Sequence, residues 1–214
     1  MIKSGFDWVA PFYDSLATLV FGSAIRQSQT VFLHNIPTQA SILVIGGGTG
    51  WILPELLTQT SPDRILYLEA SQKMLNLARQ EVQDLDKVAS IEFRLGTEKD
   101  IRPEEKFDVV ISHFFLDLFT PVQLKEIIQI LTDSLRPGGF WLVADFVSAP
   151  GSGIRPVWTQ FLIKSMYAFF RVFSGISAHT LPNWQNILSS YTLVPQKSAY
   201  FYHRMIKSVL YQKI

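Results

Sequence analysis

The chain has 214 residues, 48% of them hydrophobic and 13% aromatic, enough to bury one good core without requiring a second domain. With 19 Lys and Arg against 18 Asp and Glu the formal charge is +1, which argues against the basic field that neutralises a nucleic-acid backbone. The lack of cysteine excludes disulfides, thiolate zinc sites and a cysteine nucleophile.

From the N-terminus, MIKSGFDWVAPFYD has neither the uninterrupted apolar region nor the small-residue cleavage site of a secretory signal, so the expectation is a cytoplasmic protein. No apolar stretch reaches the ~18 residues of a membrane span. Short β-branched or aromatic runs then follow: ILVI (42–45), RILYLE (64–69), IEFRL (91–95), FDVVIS (107–112) and FWLVAD (140–145). They lack clean alternation, as parallel strands covered on both faces do. Between them lie segments of helical spacing, at Ile52, Leu53, Leu56 and Leu57, at Met74, Leu75, Ala78, Val82 and Leu85, and at Leu124, Ile127, Ile128 and Leu131. Pro62, Pro103, Pro121 and the turn Arg136-Pro137-Gly138-Gly139 punctuate the alternation. The pattern predicts an α/β, Rossmann-like doubly wound sheet, mostly parallel, with helices on both faces.

Further along, PVWTQFLIKSMYAFFRVF places Gln160, Lys164, Tyr167 and Arg171 on one narrow polar stripe. Trp158, Phe161, Leu162, Phe169, Phe170 and Phe173 cover most of the rest, so this helix reads either as core or dimer packing or as a wall over an apolar pocket. Pro182 with Trp184 opens a short helix, and SAYFYHRMIKSVLYQK (198–213) reads as a C-terminal antiparallel hairpin. One domain is expected over 1–214: N-terminal lid helices (1–40), a cofactor-binding core (41–146), acceptor-side helices (147–190) and the hairpin (191–214).

The chemistry starts at SILVIGGGTGWIL (41–53), where the first predicted strand runs into a loop almost without side chains. In open α/β sheets a glycine-rich first loop lets a ligand approach the backbone beyond the strand ends. A triphosphate-binding loop needs Lys followed by Ser or Thr after its last glycine, and here Trp51 and Ile52 follow Gly50. The dinucleotide pattern GxGxxG fails as well, because its third glycine falls on Trp51 or Leu53. What remains is GxGxG at Gly46, Gly48 and Gly50.

That pattern resembles the first motif of the class I S-adenosylmethionine-dependent methyltransferases, and ILYLEAS, IEFRLGTEKDI, FDVVISHFFLDLF and LRPGGFWLVAD resemble their later motifs in order over residues 40–146. FDWVAPFYDSLATLVFG is similar to the N-terminal helix of the ubiquinone/menaquinone C-methyltransferase group. The resemblance implies S-adenosylmethionine as cofactor, held by Gly46, Gly47, Gly48 and Gly50. It implies ribose hydroxyls on Glu69, 19 residues after Gly50. Further cofactor contacts are implied at Ala70, Met74, Thr97, Glu98, Ser112 and Tyr13. Two positions depart from the family: Val44 stands where an acidic residue usually helps to hold the methionine ammonium, and Thr97 where an Asp usually meets the adenine amino group. Thr97 or Glu98 is then the acceptor for that amino group.

A sulfonium methyl is already activated, so the protein must chiefly align an acceptor in line with the methyl–sulfur bond and exclude water. A base is needed only for a neutral hydroxyl or carbon acid. His113 and Tyr13 are the candidate catalytic residues, with Asp14, His179 and His203 behind them. There is no Asn-Pro-Pro-Tyr after the fourth strand, which disfavours methylation of DNA bases or glutamine amides by that motif. The expected activity is methyl transfer to a small, hydrophobic acceptor, with a homodimer as a possible assembly and no metal, nucleic acid or integral membrane segment. The alternative is a non-catalytic protein of the same fold that binds adenosylmethionine or adenosylhomocysteine.

Overall fold

A computed structural model describes residues 21–85, 89–147 and 182–214. Its elements run α1 (Ala24–Thr30), β1 (Ser41–Ile45), α2 (Ile52–Gln59), β2 (Arg64–Glu69), α3 (Gln72–Glu81), β3 (Ser90–Leu95), β4 (Phe107–His113), α4 (Pro121–Ser134), β5 (Leu135–Phe146), α5 (Trp184–Leu188), β6 (Leu193–Phe201) and β7 (Ile206–Lys213). Seven strands form one sheet in the order β3-β2-β1-β4-β5-β7-β6. The five strands β1 to β5 pair in parallel, and β7 and β6 add antiparallel to β5. Chain order therefore reverses between β1 and β4, the switch point at which such sheets bind ligands.

Alternation along the buried strands divides the core. Ile42, Val44, Ile65, Tyr67, Val109 and Ile111 face α2 and α3. Leu43, Ile45, Leu66, Leu68, Val110 and Trp141 face α4 and α5. Shortening a side chain as fully enclosed as Leu53 or Ile128 would cost about 2–5 kcal/mol. Helix starts are fixed locally. Thr120 and Gln123 form a capping box ahead of Pro121, and the Ser71 Oγ accepts the Met74 N–H at 3.3 Å, so α3 begins directly after β2.

Two sequence expectations are corrected. Helix α3 ends at Glu81, so Val82 and Leu85 lie beyond it, with Leu85 exposed. The turn Arg136–Gly139 does not precede β5 but is a bulge within it: Leu135 pairs with Phe107 and Phe140 with Val109, Gly138 has φ +77°, and Arg136 bridges to Asp108 at 2.7 Å. The first hairpin strand, Leu193–Phe201, lies within the span 191–214 expected for the hairpin. The aromatic helix expected around 158–173 lies outside the described residues.

Candidate cofactor and active site

Strand β1 leads straight into the glycine loop. The Gly46 N–H donates to the Leu68 carbonyl at 2.9 Å, after which Gly46, Gly48 and Gly50 take left-handed φ values of +62°, +64° and +87°. The glycines serve different ends. A Cβ on Gly46 would overlap the Phe115 ring, one on Gly47 the Tyr67 phenol, and one on Gly50 would stand 2.5 Å from the Ala78 Cα. At Gly48 a Cβ would meet nothing within 4 Å. Three of these glycines let protein pack against protein, and the fourth fronts open space.

Glu69 closes one side of that space. It is buried at the end of β2, where its Oε2 accepts the Gly48 N–H at 3.1 Å and its Oε1 the Ser71 N–H at 2.8 Å. The Tyr67 hydroxyl donates to the Gly48 carbonyl at 3.0 Å. The structure thus brings the glycine loop, Tyr67, Glu69 and Ser71 together. Ala70 is exposed beside them, and the Met74 side chain is buried beneath the start of α3.

After β3 the Thr97 Oγ1 accepts the Lys99 N–H at 3.3 Å while the Thr97 N–H donates to Asp100 at 2.8 Å, so the hydroxyl caps its own turn. Glu98 is the buried polar residue there. Arg94 holds the turn from below: Nη1 donates to the Asp100 carbonyl at 2.9 Å and to Glu105 at 2.8 Å, and Nη2 to Glu105 at 2.7 Å. This bidentate pair keeps the Glu105 carboxyl down at about 2. Sequence reasoning missed it, because pairing across 11 residues has no local period.

At the end of β4, Ser112 is fully buried and its Oγ accepts the Trp141 indole N–H at 2.9 Å, so the structure does not bring this side chain to the glycine loop. His113 is buried, and desolvation pulls its imidazole down to about 3, which leaves it neutral and weakly basic. His203 is exposed in the β6–β7 turn. Tyr13, Asp14 and His179 lie outside the described residues. A carboxyl pair also went unnoticed in the sequence. Asp145 Oδ2 accepts the N–H groups of Leu116 at 2.9 Å and Asp117 at 3.2 Å, and Oδ1 that of Phe146 at 2.8 Å. Burial and then the neighbouring Asp117 push the Asp145 carboxyl well above its ordinary range. It organises the loop that lays Phe115 over Gly46.

On the other flank, the Arg26 guanidinium sits 5.1 Å over the Trp51 ring, tying α1 to the end of the glycine loop. Among the described residues no group of three His, Asp or Glu could hold a metal ion. No helix among them is long and apolar enough to cross a membrane.

A buried carboxylate at the end of β2 and a bare backbone at the end of β1 fit an adenosyl group: a diol on Glu69, and the rest of the cofactor along the open face of Gly48. Comparisons with known proteins support the same cofactor. The methyltransferase domain family matches residues 42–139. The chain is 28% identical over 143 residues to a carboxy-S-adenosyl-L-methionine synthase of Desulfotalea psychrophila, covering 65% of this chain and 54% of that protein. It is 28% identical over 149 residues to a malonyl-[acyl-carrier protein] O-methyltransferase of Priestia megaterium, covering 68% and 51%. The chain thus spans about half the length of these curated relatives. The N-methyltransferase NodS of Bradyrhizobium japonicum, solved with S-adenosyl-L-homocysteine, shares the fold at a TM-score of 0.61 and 15% identity, over 88% of this chain and 85% of that one. The ubiquinone group has no specific support among these matches. Residues 42–139, a little under half of the chain, match the methyltransferase domain family, and the sheet has the fold of a solved methyltransferase.

Proposed function

We propose that the chain transfers the methyl group of S-adenosylmethionine to a small, hydrophobic acceptor, as one domain spanning 1–214. The observation that carries this reading is the pairing of Glu69 with Gly48 beside the open face of that glycine. In this reading Glu69 accepts the ribose hydroxyls, the backbone of Gly46 to Gly50 follows the methionine half, and Ala70 and Met74 border the adenosine. Because the Thr97 hydroxyl caps its own turn, Glu98 is the better acceptor for the adenine amino group. Ser112 contributes through the end of β4 rather than through its hydroxyl.

The bound cofactor supplies an electrophilic methyl carbon on a sulfonium. The acceptor's lone pair forms the new bond as the carbon–sulfur bond breaks, and the electron pair stays on sulfur. The protein's part is alignment and exclusion of water. His113, neutral at pH 7, takes a proton from the acceptor only weakly, which favours acceptors that are already nucleophilic. Tyr13 is proposed to close over the methyl end from the N-terminal segment. The acceptor class and a homodimeric assembly rest on the sequence alone.

The second reading is a protein that binds adenosylmethionine without transferring its methyl. The depressed His113 favours it to the extent that transfer needs a base. Methyl-labelled adenosylmethionine, presented with a panel of phenols, quinols and acyl acids, separates the two. Labelled product from an apolar acceptor is expected. Tight cofactor binding with no transfer to any of them favours the second reading.

A further inference from the structure

The cofactor site proposed above occupies the ends of β2 and β1, so an acceptor must approach from the neighbouring ends of β4, β5 and the β6–β7 turn. There four rings form a continuous row. Phe114 lies 5.1 Å from Phe146, Phe146 lies 5.3 Å from Phe21, and Phe21 meets Tyr202 edge-on at 4.9 Å. Phe146 and Phe21 are buried, Phe114 and Tyr202 are partly exposed, and the exposed His203 ring meets Tyr202 edge-on at 5.5 Å.

Both outer rings stand on left-handed backbone, Phe114 at φ +52° and Tyr202 at φ +43°. His203 at +53° and Arg204 at +64° continue the same turn. Four of the five non-glycine residues with positive φ among the described residues therefore border this one row. Such backbone is costly for side chains of this size and persists only where surrounding structure imposes it, as at binding sites. A turn with no task at the ring would be served by Gly or Asn at no such cost.

We propose that Phe114 and Tyr202 are acceptor-specificity residues, two partly exposed rings held in left-handed backbone against Phe146 and Phe21 that select a flat aromatic acceptor. This rests on the methyltransferase reading and names its acceptor class. Rings in the row meet at tilted or T-shaped angles, so a planar ring inserted beside Phe114 or Tyr202 continues the same packing, whereas a puckered ring of equal carbon count does not.

The test uses the full chain saturated with adenosylhomocysteine, with 2-naphthol and its saturated analogue decahydro-2-naphthol as probes. The flat probe should bind about tenfold more tightly than the saturated one. Tyr202→Asn, which keeps a residue tolerant of left-handed backbone, should weaken 2-naphthol about fivefold and leave adenosylhomocysteine affinity unchanged, and Phe114→Asn should act alike. Tyr202→Phe should retain 2-naphthol. Arg204→Gly relieves the turn at φ +64° and leaves every ring of the row in place, so both ligands should bind unchanged. Equal binding of the two probes, no binding of 2-naphthol, or full 2-naphthol affinity in both Asn variants overturns the proposal while the cofactor reading stands. Failure of the wild-type chain to bind adenosylhomocysteine overturns the cofactor reading and this inference with it.

Discussion

The carboxylate of Glu69 accepts the backbone N–H of Gly48 at 3.1 Å, so the residue expected to hold a ribose also sets the conformation of the loop expected to lie along the methionine half. Ligand recognition at β2 and loop geometry at β1 are therefore coupled, and a change at either should be felt at the other.

The glycines should separate fold from binding. Gly50→Ala drives a Cβ to 2.5 Å from the Ala78 backbone at φ +87° and should lower the melting temperature markedly. Gly48→Ala meets no protein atom, so its stability cost should be only the left-handed strain, about 1–2 kcal/mol. Its Cβ enters the open space, so adenosylhomocysteine affinity should fall by more than that. Melting curves with and without ligand read both effects.

Glu105→Ala should loosen the turn after β3. It removes both Arg94 bonds from the residue that also holds the Asp100 carbonyl. A loss of about 2 kcal/mol is expected for charge-assisted hydrogen bonds near the surface. The pair is also an acid sensor. Because the folded Glu105 pKa lies below its ordinary value, the stability it contributes is present above about 4.5 and is lost as pH falls toward about 2. Denaturant midpoints between pH 2 and 6 should show a steeper acid limb in the wild type than in Glu105→Ala.

His113 titrates with the same sign of slope in a different window. The unfolded imidazole takes a proton near 6.5 and the folded one only near 3, so stability is lost as pH falls from 6.5 toward 3. Asp145 runs the other way: its raised pKa means stability is lost as pH rises through that value. His113→Asn should flatten the wild-type decline between pH 6.5 and 4 in chemical denaturation. An unchanged slope would mean that the folded and unfolded imidazoles bind the proton equally well.

Much of the fold was legible because its signals are local. ILVI and RILYLE announce buried parallel strands by lacking alternation, and Leu124, Ile127, Ile128 and Leu131 mark one face of α4, where all four are buried. The position of Glu69 at the end of β2 was legible from the run RILYLE, while its proposed role on a ribose came from the family resemblance alone. Long-range pairings were not: Arg94 with Glu105, Asp145 with the N–H groups after β4, and Phe21 with Tyr202 depend on which strand ends become neighbours. Ser112 shows the same limit. Its position at the end of β4 was anticipated, but the direction of its hydroxyl, toward Trp141, is set by packing against β5.

Titration calorimetry of the wild-type chain and Glu69→Ala with adenosylhomocysteine, and of the wild type with NADH, tests the central claim most directly. The account predicts that the wild type binds adenosylhomocysteine and not NADH, and that Glu69→Ala weakens binding by roughly 1.5 to 3 kcal/mol, the value of hydrogen bonds to a charged group. An unchanged dissociation constant in Glu69→Ala, or heat from NADH with none from adenosylhomocysteine, would contradict it.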